Sequence, residues 1–307
     1  MLKLDGIAAF VAIVEDGSIS AAARRLRLPK SVVSERLAGL EKALGAVLVR
    51  RTTRKLTLTE DGSVFLERAT RITREVEDAG AEIAERRGTL SGPLRISAPV
   101  TFGHMHLGPA LYPFLAAHPG IELTLDLDDR RVSAATEGFD AILRSGPIDD
   151  NRLIVWKLAP SRRVIVASPD YLKRAGRPKS LDDLDRHRGV FYTNRGAADW
   201  RFIDAKGEAV VVRGQVAFRA NNGTMVLDAA IAGLGIALLP VFIAGPAIKN
   251  GRLAVLDLGT EPEAEWIYLA HAEGRQASAK LRALADHLKR AFGDPPSWET
   301  TARRGSA

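Results

Sequence analysis

From Leu94 onward, short apolar runs alternate with amphipathic stretches over about 200 residues, and this alternation limits the fold more than any other feature of the chain. Leu94–Ser97, Ile121–Leu127, Asp140–Leu143 and Val164–Ala167 read as strands, with a helix over Gly103–Ala117 between the first two. Gln215–Ala220, Thr224–Ala232 and Ile236–Leu239 read as a further β-α-β step. A last helix from Gln276 to Phe292 places Leu281, Leu284, Leu288 and Phe292 on one face. Such alternation implies an α/β fold whose sheet is at least partly parallel, as one domain or two lobes. Apolar residues make up 46% of the chain, enough for a core without covalent staples. Staples are excluded anyway: with no cysteine there is no disulfide, thiolate zinc site, iron–sulfur cluster or cysteine nucleophile.

The charge is unevenly spread. Residues 1–58 hold 11 Lys and Arg against 5 Asp and Glu, a surplus of six, whereas the remaining residues hold 33 against 32. A small basic module on a near-neutral body suggests nucleic acid as a partner, with a solvated basic face as the plain alternative. Within it, Ile7, Phe10, Val11 and Val14 share a helical face and Gly17 follows as a stop. Ser18 or Ser20 caps a second helix over Ala21 to Leu26, and Arg27-Leu28-Pro29 is a turn. Pro29 opens a third helix that buries Val33, Leu37 and Leu40 and leaves Lys30, Ser31, Ser34, Glu35 and Arg36 polar. This is a helix-turn-helix pattern. After Gly45, Val47-Leu48-Val49 and Leu56–Thr59 flank the cations Arg50, Arg51, Arg54 and Lys55, as in a hairpin wing whose tip reaches phosphates.

Next, Phe65, Ala69, Ile72, Val76, Ala79 and Ile83 are spaced 4, 3, 4, 3, 4 on a helix otherwise rich in charge. So narrow a seam needs a partner: a second copy is expected, the chain's own body being the alternative. Ser91-Gly92-Pro93 ends the helix.

The segment AAARRLRLPKSVVSERLAGLEKALGAVLVRRTTRKLTLTEDG (Ala21–Gly62) resembles the N-terminal winged helix of LysR-type transcriptional regulators, through its paired alanines, Ser34, the LE..LG at Leu40–Gly45 and the RTTR..LT..G at Arg51–Gly62. The family usually has Ser-Gln at Pro29-Lys30 and a basic or amide residue at Glu35. LRISAPVTFG (Leu94–Gly103), GFDAILRSG (Gly138–Gly146), NRGAADWRF (Asn194–Phe202) and AAIAGLGIALLP (Ala229–Pro240) resemble its effector-binding domain, which is similar to type 2 periplasmic binding proteins. The resemblance implies a winged helix-turn-helix over 1–60, a linker helix over 61–90 and an effector domain over 91–293, with lobe I at 92–165 and 267–293 and lobe II at 166–266. The tail 294–307 reads as frayed. It also implies DNA contacts from Lys30, Ser31, Ser34 and position 35, a homodimer through paired linker helices, and a homotetramer of such dimers. Arg36, Arg51, Arg54 and Lys55 complete the expected DNA-binding set.

Ligands in open α/β sheets lie off strand C-termini, where helix N-termini point. Ala98–Thr101 and Asn221–Thr224 are two such turns. With Arg144-Ser145 and the Thr193-Asn194-Arg195 loop start they predict a pocket for a small anion built from Thr101, Arg144, Ser145, Thr193, Asn194, Asn221 and Asn222.

Catalytic and metal signals are missing. Of six histidines only His104 and His106 are close, and i,i+2 residues do not share a helix face. Asp126, Asp128 and Asp129 read as a solvated rim, and Gly233-Leu234-Gly235 lacks the third glycine of a dinucleotide loop. Neither a cofactor nor an enzymatic activity is expected. Ala229–Ile248 holds twenty residues and no charge, but its Gly and Pro break it into pieces; no membrane segment and no export signal are expected, and a cytoplasmic location is. The predicted function is a sequence-specific DNA-binding regulator of transcription, modulated by a small molecule between two α/β lobes. The alternatives are a solute-binding protein, or a two-lobed enzyme with an accessory basic module.

Overall fold

The computed structural model describes residues 1–51, 56–85, 89–130, 132, 137–146, 152–198, 200–203, 207–273 and 277–299. The chain divides into two compact units, Met1–Gly92 and Pro93–Ala307.

The first unit contains α1 (Leu4–Glu15), α2 (Ile19–Arg25), α3 (Lys30–Leu44), a hairpin of β1 (Val49–Arg51) and β2 (Leu56–Leu58), and α4 (Glu60–Glu85). Its core gathers Ile7, Phe10 and Ile13 of α1, Ala22 of α2, Val33, Leu37 and Leu40 of α3, and Leu48. Asp16 caps α1 and Gly17, at φ +68°, stands one residue beyond it. Ser18, not Ser20, caps α2: its hydroxyl accepts from Ala21 N at 3.1 Å, and the helix starts at Ile19, before the expected Ala21. At the far end of α2, Leu28 N donates to Ala23 O and Arg27 N to Arg24 O. That is a Schellman turn, with Arg27 at φ +54° where glycine is usual. Pro29 sits at the cap of α3, one place ahead of its predicted position.

Among the described residues, the second unit has two five-stranded sheets. In chain order its elements are β3 (Gly92–Ala98), α5 (Val100–Phe102) leading through a π-helical turn (Gly103–Leu107) into α6 (Gly108–Ala117), β4 (Ile121–Leu127), β5 (Ala141–Gly146), β6 (Leu153–Pro160), β7 (Arg163–Ala167), α7 (Pro169–Ala175), β8 (Arg188–Tyr192), β9 (Arg201–Ile203), β10 (Ala209–Val211), β11 (Gln215–Ala220), α8 (Gly223–Ile231), β12 (Ile236–Pro240), α9 (Val241–Lys249), β13 (Ala254–Val255), β14 (Glu261–Pro262), β15 (Trp266–Ala272) and α10 (Ala279–Phe292). The first sheet has the order β4-β3-β5-β15-β6 and the second β11-β8-β12-β7-β13; β10-β9-β14 form a small third sheet. Parallel pairing joins β3 to β5 and β8 to both β11 and β12, whereas β15 and β7 run antiparallel to their neighbours. The fold is therefore two α/β lobes joined by two crossings, β6 to β7 and β14 to β15. The first crossing falls before Arg163, so Arg163–Ile165 belong to the second sheet and not, as expected, to the first.

The uncharged run Ala229–Ile248 is the end of α8, a turn, β12 and most of α9. No single helix among the described residues is long and apolar enough to cross a membrane.

The frayed-tail expectation fails for residues 294–299. Trp298 is 6% exposed, and its ring lies 4.7 Å from His106, 5.4 Å from Phe292 and 5.8 Å from Phe102. Glu299 Oε2 accepts from Arg162 Nε at 2.9 Å. The last helix stops at its Gly293 cap, and the chain then meets an aromatic hollow that α5, α9 and α10 build together. Residues 300–307 lie outside the described residues.

Candidate functional site

Two surfaces carry the expected chemistry, one in each unit. In the first, Val33, Leu37 and Leu40 anchor one side of α3 in the core, which turns Lys30, Ser31 and Glu35 to solvent and leaves Ser34 half-buried beside them. Arg36 departs from this row. It lies on the flank toward α1, where Nη2 pairs with Asp5 Oδ2 at 3.2 Å. The wing behind α3 is held by an acid: Glu41 Oε1 accepts from Leu48 N at 2.8 Å and Val49 N at 3.2 Å. Thr59 bonds Val47 O through its hydroxyl at 2.6 Å and takes Gly62 N at 2.9 Å, which ties β2 to the start of α4. A Cβ on Gly62 would lie 2.0 Å from Leu48 O, so only glycine lets α4 pass this close. Arg51 pairs with Leu56 in the ladder; Arg54 and Lys55 lie outside the described residues.

In the second unit a cavity of about 80 Å3 opens between the lobes. Phe102, Leu238, Leu239, Phe242 and Ile243 form its apolar wall, and Thr101, Ser145, Tyr192, Asp129, Arg163 and Arg195 bring polar groups to it. Thr101 and Thr224 face each other across the lobes, with their hydroxyls 3.2 Å apart. Ser145 Oγ lies 2.9 Å from Ser161 Oγ. Arg195 grips both oxygens of Glu265, with Nη2 at 2.6 Å from Oε2. Arg163 Nη1 stands 3.7 Å from the same carboxylate. Asp129 closes the rim: Oδ1 takes Val100 N at 3.0 Å, Oδ2 takes Asn222 Nδ2 at 3.0 Å, and its carbonyl accepts from Asn194 Nδ2. Burial, and then the Asp129 carboxylate, push the Tyr192 hydroxyl above its ordinary range, so it remains a neutral donor.

A family model described as the bacterial regulatory helix-turn-helix protein, lysR family, matches residues 4–63, and one described as the LysR substrate binding domain matches residues 87–293. The chain belongs to the LysR family. An HTH-type transcriptional regulator of Xanthomonas campestris is 35% identical over 284 residues, covering 91% of this chain and 82% of that protein. PtxR, an HTH-type transcriptional regulator of Pseudomonas aeruginosa, is 33% identical over 298 residues, covering 96% of this chain and 95% of its own. The solved structure of CrgA, a LysR-type transcriptional regulator from Neisseria meningitidis, is 30% identical with a TM-score of 0.58, covering 94% of this chain and 98% of that one. This LysR-type protein is thus a DNA-binding transcriptional regulator with an effector-binding domain.

The regulator's cavity only partly matches the pocket read from sequence. Thr101 and Ser145 line it. Arg144 does not, because strand residues alternate sides and Ser145 takes the cavity side. Arg144 turns back into the first lobe and donates to Leu143 O at 2.7 Å and Ser97 Oγ at 2.9 Å. Asn194 and Asn222 gather on Asp129 at the rim, and Asn222 is further committed to capping α8. Asn221 contributes its carbonyl to Asn194 from an exposed position, and Thr193 is exposed at the start of a 3-10 turn. Nor is the rim acid simply solvated, since Asp129 fills the helix N-terminus expected to receive the ligand. Arg163, Arg195, Tyr192 and Glu265 were not in the predicted set. Arg195 sits beside the predicted Asn194, but nothing in the sequence singled out Glu265 as its partner.

Proposed function

We propose that this regulator binds double-stranded DNA as a homodimer, with Lys30, Ser31, Ser34 and Glu35 facing base edges and Arg51, Arg54 and Lys55 on phosphates. The observation that carries the reading is the polar row on α3, whose opposite face is locked in the core directly ahead of a basic wing. Arg36, paired with Asp5, steadies α3 and makes no base contact. The exposed half of α4 supplies the dimer contact, and two dimers form the tetramer that the family likeness implies. The domains follow the boundaries 1–60, 61–90 and 91–293, with residues 294–299 packed onto the last of them. A small anion held between the lobes, against Arg195, Ser145 and Thr101, sets the regulator's state without being turned over, and the protein acts on DNA in the cytoplasm.

Titrating DNA recovered by binding selection at several salt concentrations tests the DNA assignment. Arg51→Ala is expected to weaken all sequences and to flatten the salt slope by about one phosphate. Lys30→Ala is expected to relax base preference, with a loss of about 1–3 kcal/mol at the cognate site. A Lys30→Ala protein with unchanged preference would overturn the placement of α3. Turnover of the effector by the purified protein would overturn the non-enzymatic reading.

A further inference from the structure

The chain after α10 touches both lobes and the crossing between them. α10 itself packs on β6 and α6 of the first lobe. Gly293, at φ +81°, turns the chain out of the helix, and Pro295 and Pro296 stiffen the stretch that follows. Trp298 then meets Phe102, His106 and Phe292 of the first lobe on one side. On the other it meets Phe242 of α9, in the second lobe, with the rings 6.4 Å apart and edge to face. The lobes also touch each other at this place. Phe102 and Phe242 stand 5.1 Å apart, and His106 Nε2 lies 3.1 Å from the Phe242 carbonyl oxygen.

The next residue reaches the crossing. Glu299 takes the Arg162 guanidinium, and Arg162 lies between the end of β6 and the start of β7. The carbonyl of the same arginine accepts from Val241 N at 2.8 Å, at the first residue of α9. One place earlier, Ser161 N donates to the Glu265 carbonyl at 2.9 Å and so bonds one crossing to the approach of the other. Six residues after α10 therefore join a first-lobe helix, a second-lobe helix and the path about which the lobes turn.

Two further observations separate this segment from ordinary packing. Phe102 and Phe242 both line the effector cavity, whereas Trp298 does not. A ligand that shifts either ring thus alters the seat of Trp298, and the reverse holds equally. In addition, Trp298 Nε1 and Glu299 Oε1 are buried with no hydrogen-bond partner among the described residues. Water would satisfy both atoms on release, so the seat holds less firmly than its aromatic contacts alone would make it.

We propose that residues 294–299 form a strap that holds the two lobes at their observed spacing, with Trp298 clamping α5 to α9 and Glu299 fastening the strap to the crossing at Arg162. Trp298 and Glu299 are positioning residues: they act on the effector cavity through Phe102, Phe242 and the start of α9.

Hydrogen exchange of the full-length protein, read by mass spectrometry, tests the strap in Trp298→Ala, Glu299→Arg, Arg162→Glu and the double variant Arg162→Glu/Glu299→Arg. Each single variant should exchange at least about fivefold faster over residues 160–165 and 239–244, which contain the Ser161 and Val241 amides. β8 and β11, at the other end of the second sheet, should keep their natural rates. The double variant restores the ion pair in reverse and should return both segments toward the natural rate. If Trp298→Ala does not fold, Glu299→Arg and the charge exchange decide, because they leave the aromatic cluster in place. Acceleration confined to α6 and α10 would make Trp298 a core residue of the first lobe and overturn the strap. Unchanged rates over 160–165 and 239–244, or no recovery in the double variant, also overturn it.

Discussion

Glu41 is an acid set in a basic module, and its position explains why it belongs there. Its carboxylate takes the two N–H groups that open the wing, at Leu48 and Val49. Charge-assisted bonds of this kind are stronger than neutral ones, and removing the acceptor leaves both donors in a half-buried place. Glu41→Ala should therefore lower stability by about 1.5–3 kcal/mol, while Glu41→Gln keeps an acceptor and should lose less than half of that. Chemical denaturation of the three proteins measures the difference. An equal loss in both variants would mean that charge alone, not the bond to the wing, is what Glu41 provides. The LE..LG and LT..G signatures thus have local physical causes: an acid on the wing, a threonine tying β2 to α4, and a glycine beneath Leu48.

The seam along α4 is divided by what it meets. Phe65 packs on the winged-helix core, 5.8 Å from the Phe10 ring, and Ala69 is fully buried. Further along, Ile72 is 41% exposed, Val76 48% and Ile83 60%. The first half of the seam therefore packs on the chain's own core, and the second leaves apolar side chains exposed, where the proposed dimer contact would lie. Ile72→Asp places a charge in that exposed half only. Sedimentation should show monomers with an unchanged fold, and operator affinity should fall; an unchanged oligomer would exclude this stretch as the main interface. The segment after α10 makes a comparable element-level case. Trp298→Ala should cost about 3–5 kcal/mol, the usual loss for a large buried aromatic, and thermal unfolding of the second unit reads it. A loss under 1 kcal/mol would show that the aromatic hollow closes without its tryptophan.

Two buried histidines respond to pH, and one of them, His106, joins the lobes. His106 Nε2 lies 3.1 Å from the carbonyl oxygen of Phe242, a contact that requires the ring to donate and so places the proton on Nε2. Burial holds the His106 imidazole below its ordinary 6.5, against the opposing pull of the Phe242 carbonyl. His187, bonded to the Tyr171 hydroxyl at 3.1 Å, is likewise lowered by burial, with Asp183 opposing. For both, the unfolded chain binds its proton at a higher pH than the folded one. Stability is full above the unfolded value and is lost as pH falls from 6.5 toward the lowered folded values. Melting temperature should therefore drop between pH 7.5 and about pH 5.5, and His106→Gln should flatten that drop. A His106→Gln profile parallel to that of the natural protein would assign the dependence elsewhere.

Periodicity along the chain sufficed for what is local. The strands Ile121–Leu127 and Gln215–Ala220 were predicted to the residue, and the α3 core face of Val33, Leu37 and Leu40 followed from helical spacing. Backbone geometry repeats every 3.6 or 2 residues, so a burial pattern is written into neighbours only a few positions apart. The basic surplus before residue 59 marked the DNA-binding module for the same reason, since it belongs to one short segment. The ligand cavity was less legible. Arg144 and Ser145 both stood at a strand end, and only the observed pleat put Ser145 in the cavity and turned Arg144 away. Arg195 and Glu265 are 70 residues apart, and Trp298 finds its seat among Phe102, Phe242 and Phe292 across both lobes. Ion pairing and desolvation act through space, over a few ångströms; no spacing along the chain encodes such distances, and only the folded lobes bring these groups within reach of one another.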